Sequence, residues 1–319
     1  MRTLLALVLA LFAAAAAAQT FPVAGKPVRV LVGFAPGGGT DIQARIVLPK
    51  LAEALGVPVV VENKPGAGTA LAAAEVARAA PDGHTILYTF NGTFAQLPFT
   101  QHVPYDPFKD FTPISLGARG SQLLVVHTSV PVNTIAELRA WGRAHPRELN
   151  IASFGTGTSS HIFAELLMRQ LGVDMVHVPY KGAGDASKDL LAGRVQLMFD
   201  AATTAIQNIH TGKLRALGVV AEQRSKFLPD VPTFAEQGLK GIDLVGWLGW
   251  YGPAGMPRDT VRKLNAALAT ALANPEVRAG IEKGAYESVS SSPEELAGIT
   301  RDAYERWGKV IRDIGIKQQ

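Results

Sequence analysis

Short runs of apolar, often β-branched residues alternate along this chain with longer stretches whose apolar positions recur at helical spacing, the pattern of an α/β protein. Residues 28–32 (VRVLV) read as a strand, followed by a glycine-rich turn and a helix over about 41–55 that stops at Gly56. Pro49 falls inside that helix, so a kink or break is expected there. A strand at 57–61, an alanine-rich helix at 69–79 and a strand at 85–89 follow. From Gln122 the alternation restarts, with a strand at 123–126, a helix at 135–143, a strand at 149–152 and a second glycine-rich turn into a helix at 160–171. Strands at 175–178, 195–199 and 214–220 come next, separated by helices at 186–191 and 204–210. Residues 245–251 read as an extended crossing, and helices at 259–273 and 293–314 finish the chain. Because helices separate most of the strands, mostly parallel sheets are expected. No internal repeat and no low-complexity linker divides the halves, which predicts two lobes joined by crossing strands, with a cleft between them. In such sheets ligands collect at the carboxyl ends of the strands.

The N-terminus adds a compartment. Arg2 precedes an apolar run through Phe12 and an alanine tract up to Ala18, the order of charge, apolar core and small residues found in a secretory signal. The run is shorter than the roughly 20 strongly apolar residues of a membrane span. A mature, periplasmic protein beginning at or near Gln19 is therefore expected, with residues 1–18 as the leader. A buried helix is the alternative, but it would alternate polar and apolar faces. The chain has no cysteine, which excludes disulfides, thiolate metal sites, cysteine nucleophiles and a lipidated N-terminal cysteine. With 319 residues, 47% of them apolar, it can build an ordinary hydrophobic core. The net charge of +4 comes from scattered Lys and Arg with no basic run, so nucleic acid is not an expected partner.

Two segments carry candidate chemistry. Phe34-Ala35-Pro36-Gly37-Gly38-Gly39-Thr40-Asp41 lies between a strand and a helix. Consecutive glycines allow positive φ and bring bare N–H groups close to a ligand, while the helix N-terminus adds about half a positive charge. An anion could be held there without Lys or Arg; the plainer reading is a tight turn in which Thr40 or Asp41 caps the helix. Ser153-Phe154-Gly155-Thr156-Gly157-Thr158-Ser159-Ser160-His161 repeats the arrangement with added hydroxyl donors, and here capping and binding are compatible. Neither segment is Gly-x-Gly-x-x-Gly or a Walker loop. Ser159 or Ser160 with His161 as base would be a hydrolase reading, but neighbours on one helical turn do not face each other and no Gly-x-Ser-x-Gly elbow surrounds them. The remaining histidines show no metal-binding spacing, so neither a metal nor another cofactor is expected. Asn91 and Asp200 follow predicted strands at the same rim and could meet a ligand or merely shape a turn and cap a helix. Tyr180, Trp247 and Trp250 could wall the cleft or fill the core.

In this order the segments resemble the tripartite tricarboxylate transporter substrate-binding proteins, the TctC-like or Bug family. The resemblance rests on FAPGGGTD (34–41), VVVENKPGAG (59–68), APDGHT (80–85), PYDPFKDFT (104–112), GTGTSSH (155–161), VHVPYKGAG (176–184), KLRAL (213–217), LPDVPTFAEQG (228–238) and PAGMP (253–257). It implies a non-catalytic, two-lobed periplasmic binding protein of the type II, Venus flytrap form. The first lobe would comprise residues 19–120 and 245–319, and the second 121–244. The ligand would be a small carboxylate: a dicarboxylate, tricarboxylate, amino acid or aromatic acid. The partners would be the membrane permease subunits, with a sensor kinase as an alternative receiver, and the binding protein itself would be a monomer. Carried over by position, the first-lobe contacts fall on Phe34, Gly38, Gly39, Thr40 and Asp41 with Asn91 beside them, and the second-lobe contacts on Ser153, Thr156, Thr158, Ser159, His161 and Asp200. The chain departs from the family where Thr156 and Ala201 replace frequent asparagines and Asp185 replaces a frequent proline, all near the second-lobe rim.

Overall fold

The computed structural model describes residues 21–316 and 318; the expected leader and its cleavage point lie outside the described residues. Eleven strands form two mixed sheets. The first contains β1 (Val28–Val32), β2 (Val59–Asn63), β3 (Thr85–Phe90), β4 (Phe111–Gly120), β10 (Gly246–Pro253) and β11 (Tyr286–Ser288), in the order β11-β4-β10-β3-β1-β2. The second contains β5 (Gln122–His127), β6 (Asn150–Ser153), β7 (Val176–Pro179), β8 (Leu197–Ala201) and β9 (Leu214–Val219), in the order β7-β6-β8-β5-β9. The helices are α1 (Gly39–Leu55), α2 (Ala70–Ala77), α3 (Gly92–Ala95), α4 (Leu97–Thr100), α5 (Ile135–Ala144), α6 (Ser159–Leu171), α7 (Ala183–Leu191), α8 (Ala202–His210), α9 (Arg258–Ala273), α10 (Pro275–Glu282) and α11 (Pro293–Ile314).

β1 shows why these sequences make these sheets. It is parallel to both β2 and β3, and Val28, Val30, Leu31 and Val32 are fully buried, so a near-continuous apolar run is what the position requires. Its one charged residue, Arg29, makes a bidentate pair with Glu62 at 2.8 Å and reaches Glu75 at 3.1 Å.

The sheets are not mostly parallel. β1–β2, β1–β3, β6–β7 and β6–β8 are parallel, but β10 runs against β3 and β4, β11 against β4, and β5 against β8 and β9. The cause is the crossing itself. β4 passes into β5 with only Ser121 between them, and β10 returns to the first sheet. A strand arriving from the other lobe enters at the cleft end, where β1, β3, β6 and β8 finish, and must run the opposite way.

Pro49 does not break α1, which is helical from Gly39 to Leu55 and ends on Gly56 in the left-handed region. Losing the bond to the Arg45 carbonyl costs a helix about 3 kcal/mol. Val47, Leu48 and Leu51 offset that cost by packing in the same core cluster as Leu264 and Leu268 of α9. The last helix, α11, opens with a capping box between Ser292 and Glu295. Its Leu296 joins the first-sheet core beside Leu116 and Trp247, while Trp307, Ile311 and Ile314 pack with Phe163 and Leu167 of the second lobe. The helix therefore ties the two lobes together. Among the described residues no helix is long and apolar enough to cross a membrane.

Candidate ligand-binding site

A narrow cavity of about 60 Å³ lies between the sheets, at the carboxyl ends of β1, β3, β6 and β8 and beside the crossings at Gly120–Gln122 and Gly246–Leu248. Four helices of two or more turns begin on its wall: α1 through Gly38, Gly39 and Thr40, α6 through Ser159, α7 through Ala183, and α8 through Ala201; the single turns α3 and α4 begin there too, at Asn91 and Gln96. None of the four has a side-chain cap on its N-terminus. Away from the cavity, α5, α10 and α11 are capped by Thr134, Asn274 and Ser292, while α2 and α9 have no side-chain cap. The first-turn amides of a helix have no intrahelical acceptor, and each N-terminus carries a partial positive charge. Four uncapped N-termini thus converge on one space that, among the described residues, no Lys, Arg or His lines. Such a site can hold an anion by backbone N–H groups and dipoles alone.

In the first loop only Gly37 of the three consecutive glycines has positive φ, at 82°. Gly38 is the N-cap with φ −74°, and at Gly39 the requirement is space: a Cβ there would lie 3.2 Å from that of Ala201. Of the positive φ that consecutive glycines allow, only Gly37 makes use, while Gly39 serves close approach. Phe34, Gly38, Gly39, Thr40 and Asn91 line the cavity. Asp41 does not. Its carboxylate, 2% exposed, accepts from the Gly37 amide and Asn63 Nδ2 at 2.9 Å and from Arg45 Nε at 3.0 Å. Burial alone would raise its pKa, but these donors, led by Arg45, outweigh burial and hold the group below the usual carboxylate range. Asn63 also donates to the Phe34 carbonyl at 2.9 Å, so Asp41 and Asn63 together fix the loop from behind.

In the second loop Ser159 lines the cavity, and its hydroxyl accepts from Gln122 Nε2 at 2.7 Å. Ser153, Thr158 and His161 stand behind the wall. Ser153 Oγ is 2.7 Å from His177 Nε2 and accepts from the Gly155 amide, while Thr158 Oγ1 donates to the Gly155 carbonyl at 2.7 Å. His161 Nδ1 accepts from the Gly157 amide at 3.1 Å, and its ring stacks on His177 with centroids 4.2 Å apart. Burial, reinforced by His161, lowers the pKa of His177 to about 4. Thr156 faces a separate opening of about 250 Å³, shared with Tyr180 and Lys181.

Asp200 is the last residue but one of β8 and is 1% exposed. It accepts from Thr204 Oγ1 at 2.6 Å and Ser187 Oγ at 3.3 Å, and its neighbour Ala201 is the residue on the cavity wall. Burial pushes its pKa up to about 7 against those hydrogen bonds. Trp247 lines the cavity, whereas Trp250 lies in the core, stacked on Tyr88 at 4.1 Å. Asp185 sits on the exposed side of α7, paired with Lys188 at 3.0 Å.

The sequence reading missed three glutamines on this wall, Gln43, Gln96 and Gln122, and most of its aromatic surface, including Phe90, Phe163, Tyr286 and Trp307. No motif marks an isolated glutamine; only the fold shows that these face one space.

Residues 43–316 match the family described as the tripartite tricarboxylate transporter family receptor. Three solved structures are similar to the chain over nearly all of both lengths. The periplasmic binding protein BugD is 35% identical, covering 92% of this chain and 99% of its own, with a TM-score of 0.88. MatC from Rhodopseudomonas palustris, with bound malate, is 37% identical over 91% of this chain and all of its own, with a TM-score of 0.86. An R. palustris protein with adipate is 32% identical, covering 92% and 98%, with a TM-score of 0.88.

Proposed function

The chain belongs to the tripartite tricarboxylate transporter receptor family, and from that premise we propose that it is a periplasmic binding protein that closes over a small carboxylate and delivers it to a membrane permease. The observation that carries this reading is the convergence of four uncapped helix N-termini on a cavity that no cationic side chain among the described residues lines. A carboxylate placed there accepts from first-turn amides that have no intrahelical or side-chain acceptor. The malate and adipate of the two R. palustris structures support the same ligand class.

The two lobes are residues 19–120 with 245–319, and 121–244; the ligand bridges them, and the leader of residues 1–18 is removed on export. The protein binds without reacting. Ser159 is engaged by Gln122, and His161 is engaged by the Gly157 amide and stacked on His177, so the hydroxyl has no base beside it.

Native mass spectrometry of the protein purified from the periplasm tests this reading. A mature mass beginning near Gln19 and a non-covalent adduct that fragments to a small acid are expected. A bare protein that takes up no acid from a panel of mono-, di- and tricarboxylates would sink it.

A further inference from the structure

Two amides on the cavity wall have unmet hydrogen-bonding capacity. Gln96 is fully buried, and neither its Oε1 nor its Nε2 has a hydrogen-bond partner among the described residues. Gln122 gives its Nε2 to Ser159 but its buried Oε1 is likewise unpartnered. Both line the cavity. A buried polar group without a partner costs free energy, and on a cavity wall a ligand can supply the missing partner. The backbone makes deliberate room for Gln96. It follows α3 directly, and any side chain at Gly92 would collide with the Gln96 amide and the Phe90 ring.

The chemistry of the two side chains defines what they would read. Together they offer two unfilled acceptors and one unfilled amide donor group. A carboxylate is acceptor-only and would face two carboxamide oxygens with nothing to donate to them. A hydroxyl or a primary carboxamide both donates and accepts, and so can satisfy Gln96 in full. Around these amides the wall is largely apolar, with Phe90, Phe163, Leu248, Trp247 and Trp307. That surface suits a hydrocarbon or aromatic body.

We propose that Gln96 and Gln122 are specificity-determining residues, selecting ligands that carry, besides the carboxylate, an uncharged group able to donate and accept hydrogen bonds. The inference rests on the carboxylate-binding reading above and narrows it to a hydroxy- or carbamoyl-substituted monocarboxylate. Dicarboxylates bind more weakly, because one of their charges meets amide oxygens and aromatic rings.

Two matched sets of probes test this by titration calorimetry on ligand-stripped protein. The first is succinamate, succinate and butyrate; the second is 4-carbamoylbenzoate, terephthalate and 4-methylbenzoate. Within at least one set the carbamoyl acid is expected to bind about tenfold or more tightly than both companions, since the companions leave buried amide atoms unpaired. In Gln96→Leu and in Gln122→Leu that ratio falls toward one, and the methyl-bearing acid gains affinity. Because the readout is a ratio between ligands in one protein, a variant with lowered stability still reports, and circular dichroism verifies that it is folded. Equal affinities within both sets, a preference for the dicarboxylate, or ratios unchanged in both variants overturn the proposal while leaving carboxylate binding intact. If none of the six acids, nor malate or adipate, binds the wild-type protein, the carboxylate reading fails and this inference fails with it.

Discussion

A Cβ placed on Gly39, in the first turn of α1, would lie 3.2 Å from the Cβ of Ala201, the N-cap of α8 in the opposite lobe. Two helix N-termini from different sheets therefore meet nearly in contact, and Gln43 Nε2 to Thr203 Oγ1, at 3.2 Å, is a hydrogen bond across the same seam. The close approach at this point of the seam leaves little room for a side chain on Gly39. Gly39→Val should keep the fold, because φ there is not positive, but prop the lobes apart. Calorimetry should show affinity for a bound acid reduced by about 1.4 kcal/mol or more, a factor of ten. Gly38→Ala, whose new Cβ would lie 3.4 Å from the Ala35 carbonyl, should be far milder.

Asp41 is bound to the first loop from behind and is not among the residues lining the cavity. Asp41→Asn leaves an amide where the Gly37 amide, Arg45 and Asn63 donate to a buried carboxylate. The expected loss of stability is about 1–3 kcal/mol, read by urea unfolding. The sign of the pH effect follows from its depressed pKa. The wild-type contribution is complete above the unfolded carboxylate value near 4 and is lost as pH falls through the lower folded value. The gap between wild type and variant should therefore narrow in acid.

On the second lobe, Ser159 and Thr156 are three residues apart but face different spaces. Ser159→Ala should weaken acid binding several-fold, in line with loss of one hydrogen bond worth about 1 kcal/mol. Thr156→Ala should leave it nearly unchanged. Equal effects of the two changes in titrations would move the site toward the opening that holds Thr156.

Asp200, buried behind the Ala201 end of the wall, should make binding depend on pH near neutrality. Its folded pKa of about 7 lies above the unfolded value, so the folded protein holds an extra proton in that interval. Stability contributed by this group is complete at the acid end and declines as pH rises toward about 7. The groups facing it are the Thr204 and Ser187 hydroxyls, the Ala201 amide and the ring of Tyr286, none of them cationic. A carboxylate bound at the Ala201 end of the cavity favours the protonated form, so affinity should fall as pH rises above 7. Subtracting the pH profile of Asp200→Asn isolates this effect; parallel profiles would remove it.

Much of this architecture was legible from the chain. VRVLV marks β1 because a strand buried on both faces must be apolar throughout, and α11 begins at Pro293, where Ser292 and Glu295 supply a capping box. β4 was not legible. Phe111–Gly120 contains Pro113, Gly117 and Gly120, and it pairs with β10 through two register shifts, so no simple alternation survives. For α10 the signal was present and unread: Asn274 caps it and Pro275 stands at its first position. The glycine loops located the cleft, but the division of labour within them depends on tertiary partners. Asp41 turns inward because Arg45 and Asn63 are there to receive it, and Asp200 lies within β8 rather than after it. Gln96 and Gln122 become informative only when both are seen buried on one wall.

If helix N-termini hold the ligand's carboxylate, its charge must contribute to the stability of the complex. Thermal unfolding of ligand-stripped protein, with malate, adipate and the carbamoyl acids set against their methyl esters, tests it most directly. Ligand at 100 times its Kd stabilises the folded state by about 2.7 kcal/mol, which lifts the midpoint of a chain of this size by several degrees. At least one free acid should give that shift, and its ester should give little, because an uncharged group gains less from the N-terminal dipoles. An ester that stabilises as well as its acid, or a complete panel that leaves the midpoint unmoved, would contradict the account.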